Sequence, residues 1–239
     1  MNTQSNTYTI IYSSVIVVVV ATLLTLAAIA LQPQQARNVE IEKKQNILAA
    51  VRVHSTVEDA AEKYDQYVKD IFTINSHGEK VEGVDAFMIN MREENKKPAG
   101  ERHLAVYRVE KNDSLFLVIP LYGKGLWGPI WGYISLYHED SVSDGRPRYN
   151  MVYGVVFDHK GETPGLGAEI NTRWFQTPFR SKRIFDDNGQ FVSIRVVKGG
   201  RTQDDPHRVD AISGGTITSK GLEAMLDSCL VVYMEYFKQ

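Results

Sequence analysis

The chain has 239 residues, with 27 lysines and arginines against 29 aspartates and glutamates, for a formal net charge of -2. That near balance gives no support for nucleic-acid binding, which needs a basic face to neutralise phosphates, and 23% charged residues excludes a highly charged disordered composition. A single cysteine, Cys229, excludes an internal disulfide, a CxxC redox pair and a thiolate metal cage.

A short tail, residues 1–9, contains no lysine or arginine. Residues 10–31 (IIYSSVIVVVVATLLTLAAIAL) then carry no charge over 22 positions, enough for a helix to cross a bilayer. A cleaved signal peptide would have a basic start and a shorter apolar stretch, so the run reads as a retained transmembrane helix. Pro33 predicts a break after it. Residues 32–74 read as a juxtamembrane helical region. Val39, Ile41, Ile47, Leu48 and Val51 recur at helical spacing. Ser55 or Thr56 can cap a second helix running to about Phe72. Arg37, Lys43 and Lys44 follow the span and nothing basic precedes it. By the positive-inside rule this places the large domain in the cytoplasm, although Glu40 and Glu42 are interleaved.

Residues 75–239 read as one domain, opened by a turn-rich link over 75–83. Residues 104–109, 114–120, 130–138, 149–157 and 191–197 are rich in Val, Ile, Leu, Tyr and Phe, with Gly, Asn, Asp and Pro between them, as strands require. A final helix is predicted from about Ile217. Its apolar face is Leu222, Met225, Leu226, Cys229, Leu230, Tyr233 and Phe237. The fold class is therefore α+β: one N-terminal transmembrane helix, then an antiparallel sheet with packed helices.

Three stretches could carry chemistry. Residues 210–220 (DAISGGTITSK) place Ser213, Thr216, Thr218, Ser219 and Lys220 at a helix start behind Gly214 and Gly215. Free N–H groups there attract a phosphate, but a Ser/Thr/Gly cluster is also how ordinary helices begin. Residues 161–167 (GETPGLG) form a rigid loop in which Gly165 and Gly167 let main chain approach a flat ligand; alone, they are a turn. In residues 123–133 (GKGLWGPIWGY), Trp127 and Trp131 can wall an aromatic ring or fill a core. No P-loop, H-E-x-x-H or strand-to-helix G-x-G-x-x-G occurs, and no catalytic residue or metal ligand is assigned.

Asp210, Ser213, Gly214, Gly215 and Thr216 resemble the D-x-x-S/T-G-A-T signature of bacterial proteins with covalently bound flavin, with Gly215 where that signature has Ala. In that family a dedicated flavin transferase esterifies the FMN phosphate to the last threonine, here Thr216. Residues 162–167 resemble the ETPGLG loop of the same domain. With the single span and the GLWG of residues 125–128, the whole chain is similar to the C subunit of sodium-translocating NADH:quinone oxidoreductases. The G subunit of the Rnf electron-transport complex shares the span and the flavin motif and is the alternative.

The resemblance implies an electron-carrying subunit with one covalent FMN on Thr216, working with other membrane subunits in a complex that oxidises NADH, reduces quinone and exports sodium. It implies Asp210, Ser213, Gly214, Gly215, Thr218 and Lys220 around the attachment point. It places Glu162, Thr163, Gly165, Leu166, Gly167 and Trp127 against the flavin. It also implies a bacterial inner-membrane protein with its flavin domain on the periplasmic side, against the weak charge bias above. The competing class is a membrane-anchored scaffold whose glycine loops merely turn; a yellow protein after denaturation separates the two.

Overall fold

The computed structural model describes residues 5–138, 147–200 and 202–239, so the tail expected over residues 1–9 lies partly outside them. Packing divides the chain into two units, Met1–Lys43 and Lys44–Gln239.

The first unit is helical from Asn6 and belongs to α1 (Asn6–Ala50). This helix is long and apolar enough to cross a membrane, with its apolar window fully exposed. The break expected at Pro33 is absent, because Pro33 lies inside α1. Proline removes one i→i−4 hydrogen bond. The Ala, Leu, Gln and Arg residues on either side favour helix enough to carry it across that gap.

In the second unit the end of α1 packs into the domain. Thr56 and Asp59 then cap each other: the Thr56 N–H donates to Asp59 Oδ1 at 2.7 Å, and the Asp59 N–H to Thr56 Oγ1 at 3.4 Å. They introduce α2 (Ala60–Tyr67). The helix expected to reach Phe72 stops at Tyr67, because β1 (Val68–Ile74) is claimed by the sheet. Its Val, Ile and Phe side chains gain more from cross-strand burial than from another helical turn.

The main sheet is antiparallel, in the order β2-β1-β3-β4-β5-β6. Its other strands are β2 (Lys80–Val81), β3 (Leu104–Lys111), β4 (Ser114–Lys124), β5 (Pro129–Tyr137) and β6 (Val152–His159). Successive side chains on a strand point to opposite faces, and here both faces are covered. Leu104, Val106, Leu117, Ile119 and Ile134 join a core with the C-terminal helix. Ala105, Tyr107, Val109 and Val118 join another with Ile47, Leu48, Val51 and Tyr64. This explains why β3 and β4 read as nearly continuous apolar runs. Gly154 fits where it does because the Ala50 carbonyl fills the place of a Cβ, and Ser135 Oγ donates to that carbonyl at 2.6 Å.

A short α3 (Met91–Glu94) precedes β3. After β6 come a 3-10 turn (Gly167–Asn171) and α4 (Arg173–Gln176). The fifth expected strand, residues 191–197, survives only as β7 (Arg195–Val197). It pairs in parallel with β8 (Arg208–Asp210). Ser193 has φ 58°, which interrupts the extended run, and Phe191 instead bridges Phe185.

The chain closes with α5 (Thr216–Leu230), a 3-10 turn and α6 (Met234–Phe237). All seven residues of its predicted apolar face are buried, each worth about 1.5–3 kcal/mol for a large side chain. Cys229 lies against the Tyr122 backbone with its Sγ 3.4 Å from the carbonyl, and burial pushes its thiol pKa up.

Candidate functional site

Three loops meet at the start of α5. The first joins β4 to β5 and is closed by the Gly125 N–H donating to the Gly128 carbonyl at 2.8 Å. The second follows β6 and holds residues 161–167. The third is the turn before α5.

Glu162 ties them together. It is only 4% exposed. Its Oε1 accepts the Trp127 N–H at 2.9 Å from the first loop, and its Oε2 accepts the Thr218 hydroxyl at 2.5 Å from α5. Its own N–H donates to His159 Nδ1 at 3.2 Å. A Cβ on Gly125 or Gly167 would collide with this carboxylate, and one on Gly167 also with Thr218 Oγ1. The glycine-permitted close approach at Gly167 is therefore to Glu162 and Thr218. Gly165 meets nothing within 4 Å and needs glycine for its φ of 74°. Its N–H donates to Glu169 Oε1, while Glu169 Oε2 accepts the Trp174 indole N–H, both at 3.1 Å. The Thr163 carbonyl accepts the Leu166 and Ala168 N–H groups at 3.1 Å, leaving the Thr163 side chain exposed.

The second and third loops are in contact. Gly214 has φ 76°, and a Cβ there would sit 2.6 Å from Leu166 Cδ2. Gly215, the N-cap of α5, has φ −100° and brings no side-chain cap to the helix, so the first-turn N–H groups await other acceptors. A Cβ on Gly215 would lie 3.0 Å from Ile212 Cγ2. The alanine of the resembled signature therefore requires Ile212 to yield by a few tenths of an ångström.

The hydroxyls sort by direction. Thr218 and Ser219 are buried. Thr218 is committed to Glu162, and Ser219 Oγ accepts the Ile212 N–H at 3.1 Å. Thr216 and Ser213 are exposed. Lys220 is exposed and, among the described residues, forms no ion pair. Asp210 ends β8 with its side chain exposed and outside the Glu162 cluster.

Around these loops stand exposed apolar side chains. Trp127 is 69% exposed, which settles its reading against the core alternative, and Leu126 and Leu166 are exposed beside it. Trp174 (58% exposed) and Ile217 (59%) complete the set. Sequence reasoning missed these two. Ile217 was visible as an apolar residue off the buried face of α5, and Trp174 as a tryptophan in a polar stretch.

An FMN-binding domain family model matches residues 125–231, which contain all three loops and α5. The C subunit of the Na+-translocating NADH-quinone reductase of Vibrio vulnificus is 29% identical over 222 residues, covering 86% of this chain and 83% of its own. A crystal structure of the corresponding C subunit from Parabacteroides distasonis is 39% identical, covers 87% of this chain and 98% of its own, and superposes with a TM-score of 0.76. The chain belongs to the family of these C subunits. The crystal structure of Shewanella oneidensis NqrC, at 28% identity and TM-score 0.68, covers 84% of this chain and 96% of its own. Of the two families the sequence resembles, these relatives carry the name of the reductase's C subunit rather than that of the Rnf G subunit. The chain is thus a member of the former, with an FMN-binding domain, and part of a redox enzyme complex.

The site's own features suit FMN. An uncapped helix start offers N–H groups to a phosphate, a threonine hydroxyl projects outward beside it, and exposed Trp and Leu side chains offer faces to a flat ring.

Proposed function

We propose that this chain carries one FMN joined by a phosphoester to Thr216, and that it relays electrons inside a membrane complex that oxidises NADH, reduces quinone and exports sodium. The observation that carries the attachment is the opposite orientation of the two threonines. Thr216 is exposed at the uncapped start of α5, whereas Thr218 is buried and donates to Glu162. Bound FMN supplies the electron-accepting and electron-donating ring; the protein sets its position and surroundings. Within the chain, the first-turn N–H groups and Lys220 face the phosphate, and Trp127, Leu166 and the main chain of residues 162–167 border the ring. Asp210, Ser213 and Thr163 lie on the exposed rim, where a flavin transferase must dock. Activation of the Thr216 hydroxyl falls to that transferase, because a threonine hydroxyl is not acidic.

The test is expression with and without a flavin transferase, followed by denaturing electrophoresis. A fluorescent band and a one-flavin mass increase are expected only with the transferase. A colourless, unmodified protein in its presence would leave the scaffold reading standing.

We also propose that α1 anchors the chain in the bacterial inner membrane beside the other subunits, with the second unit on the periplasmic side. Support comes from the exposed apolar window of α1 and from the need to meet an exported transferase. An alkaline phosphatase fused after Gln239 should be active. An inactive fusion, with an active cytoplasmic reporter at the same position, reverses the topology.

A further inference from the structure

The second unit contains a pocket that the flavin reading does not use. It encloses about 180 Å3 beside β6, lined by Arg52, His54, Arg173, Gln176, Thr177 and Arg180, with no carboxylate in its lining. The chain as a whole has more acidic than basic residues, so three arginines without a counter-charge are a local segregation. Arg173 and Arg180 form no ion pair among the described residues.

Arg52 is held in place. Its φ of 58° is the left-handed turn that closes α1, with the Val53 N–H returning to the Leu48 carbonyl at 2.9 Å, so the backbone there is fixed by the helix end. Its guanidinium carbon lies 3.5 Å from the Tyr153 ring centroid. Lys111 Nζ donates to the Val51 and Arg52 carbonyls at 3.0 and 3.1 Å, answering the end of α1 and adding another positive charge nearby. Gln176 is fixed by donating to the Phe157 and Ile170 carbonyls, both at 3.1 Å.

We propose that this pocket binds a phosphate-bearing small anion, separate from the FMN phosphate. Guanidinium forks match phosphate oxygens in pairs; Arg173 and Arg180 line the cavity with Arg52 at its edge, its guanidinium stacked on Tyr153, and the space leaves room beside a tetrahedral oxyanion for a small organic substituent. None of its lining residues belongs to the three loops around Thr216. Arg173 nevertheless shares α4 with Trp174 of the apolar rim, so one short helix borders both places. A soluble phosphate ester and a lipid headgroup present the same chemistry.

The test uses the full flavin-loaded chain in detergent. Glycerol 3-phosphate and inorganic phosphate are titrated calorimetrically against a chloride control at constant ionic strength. Saturable one-to-one binding is expected. Arg173→Gln and Arg180→Gln should each weaken it about tenfold, and the double variant should remove it at unchanged thermal stability. Both side chains are exposed, so folding should not depend on them. Nanodiscs of phosphatidylglycerol and of phosphatidylcholine separate the sources: arginine-dependent contact confined to the anionic lipid identifies a headgroup, and its absence with retained glycerol 3-phosphate binding identifies a soluble ester. Absence of saturable phosphate binding together with no arginine-dependent lipid contact overturns the proposal. So does binding that the double variant retains. Loss of assembly with the other subunits in the variants, without phosphate binding, would assign the pocket to a partner's carboxylate and equally sink it.

Discussion

Thr216→Ala is expected to give a folded protein with no covalent flavin: unmodified intact mass, no visible absorbance and no in-gel fluorescence. The Thr216 side chain is exposed and caps nothing, so its removal should leave the melting temperature near that of the wild-type apoprotein. Thr218→Ala should behave in the opposite way. It keeps the attachment hydroxyl but leaves Glu162 Oε2 without its donor, at a cost of about 1–3 kcal/mol. The protein should therefore stay yellow and melt earlier. Covalent flavin in Thr216→Ala would move the attachment to another hydroxyl and withdraw the assignment.

Glu162→Ala should be the most destabilising change around the site. It deletes a buried side chain that joins two loops to α5 and strands the Trp127 N–H and the Thr218 hydroxyl together. Leaving buried donors unmatched beside a new void costs about 2–4 kcal/mol, a fall in melting temperature on the order of 5–10 °C for a unit of this size. Glu162→Gln retains the shape. Its amide oxygen can accept from Trp127 and its NH2 can donate to Thr218 Oγ1, so it should recover most of the loss. Flavin loading should follow the same order, since the glutamate holds together the loops that shape the site. Equal melting of the wild type and Glu162→Ala would show the carboxylate to be idle.

Much of this was readable beforehand because the signals were local. The apolar face of α5 follows helical periodicity, and every residue in it is buried. Strands β3 to β6 follow from runs of β-branched and aromatic residues between turn formers. What failed was decided by distant partners in one place and by stronger neighbours in another. Residues 68–74 have the composition of either element, and only pairing with β3 makes them a strand. Pro33 has a strong local meaning that its neighbours outweigh. At the site, the motifs located the loops but not the direction of each side chain. The motif located Glu162 but gave no sign that both its carboxylate oxygens would bind protein. Helical spacing does put Thr218, four residues before Leu222, on the inward face and Thr216 off it; what it cannot tell is that the Thr218 hydroxyl meets Glu162 from a distant loop. That depends on α5 docking with Leu222 and Met225 down, which fixes the rotation of its first turn.

The seclusion of Cys229 has a practical side. The sequence's one thiol is packed under the β4 backbone and held in its unreactive protonated form. Maleimides and spin labels should therefore leave the native chain untouched. A cysteine placed at an exposed position outside the attachment site, such as Lys160, would become the single address for a probe, with no background to remove first. Distances from that address to other subunits could then be read in the assembled complex.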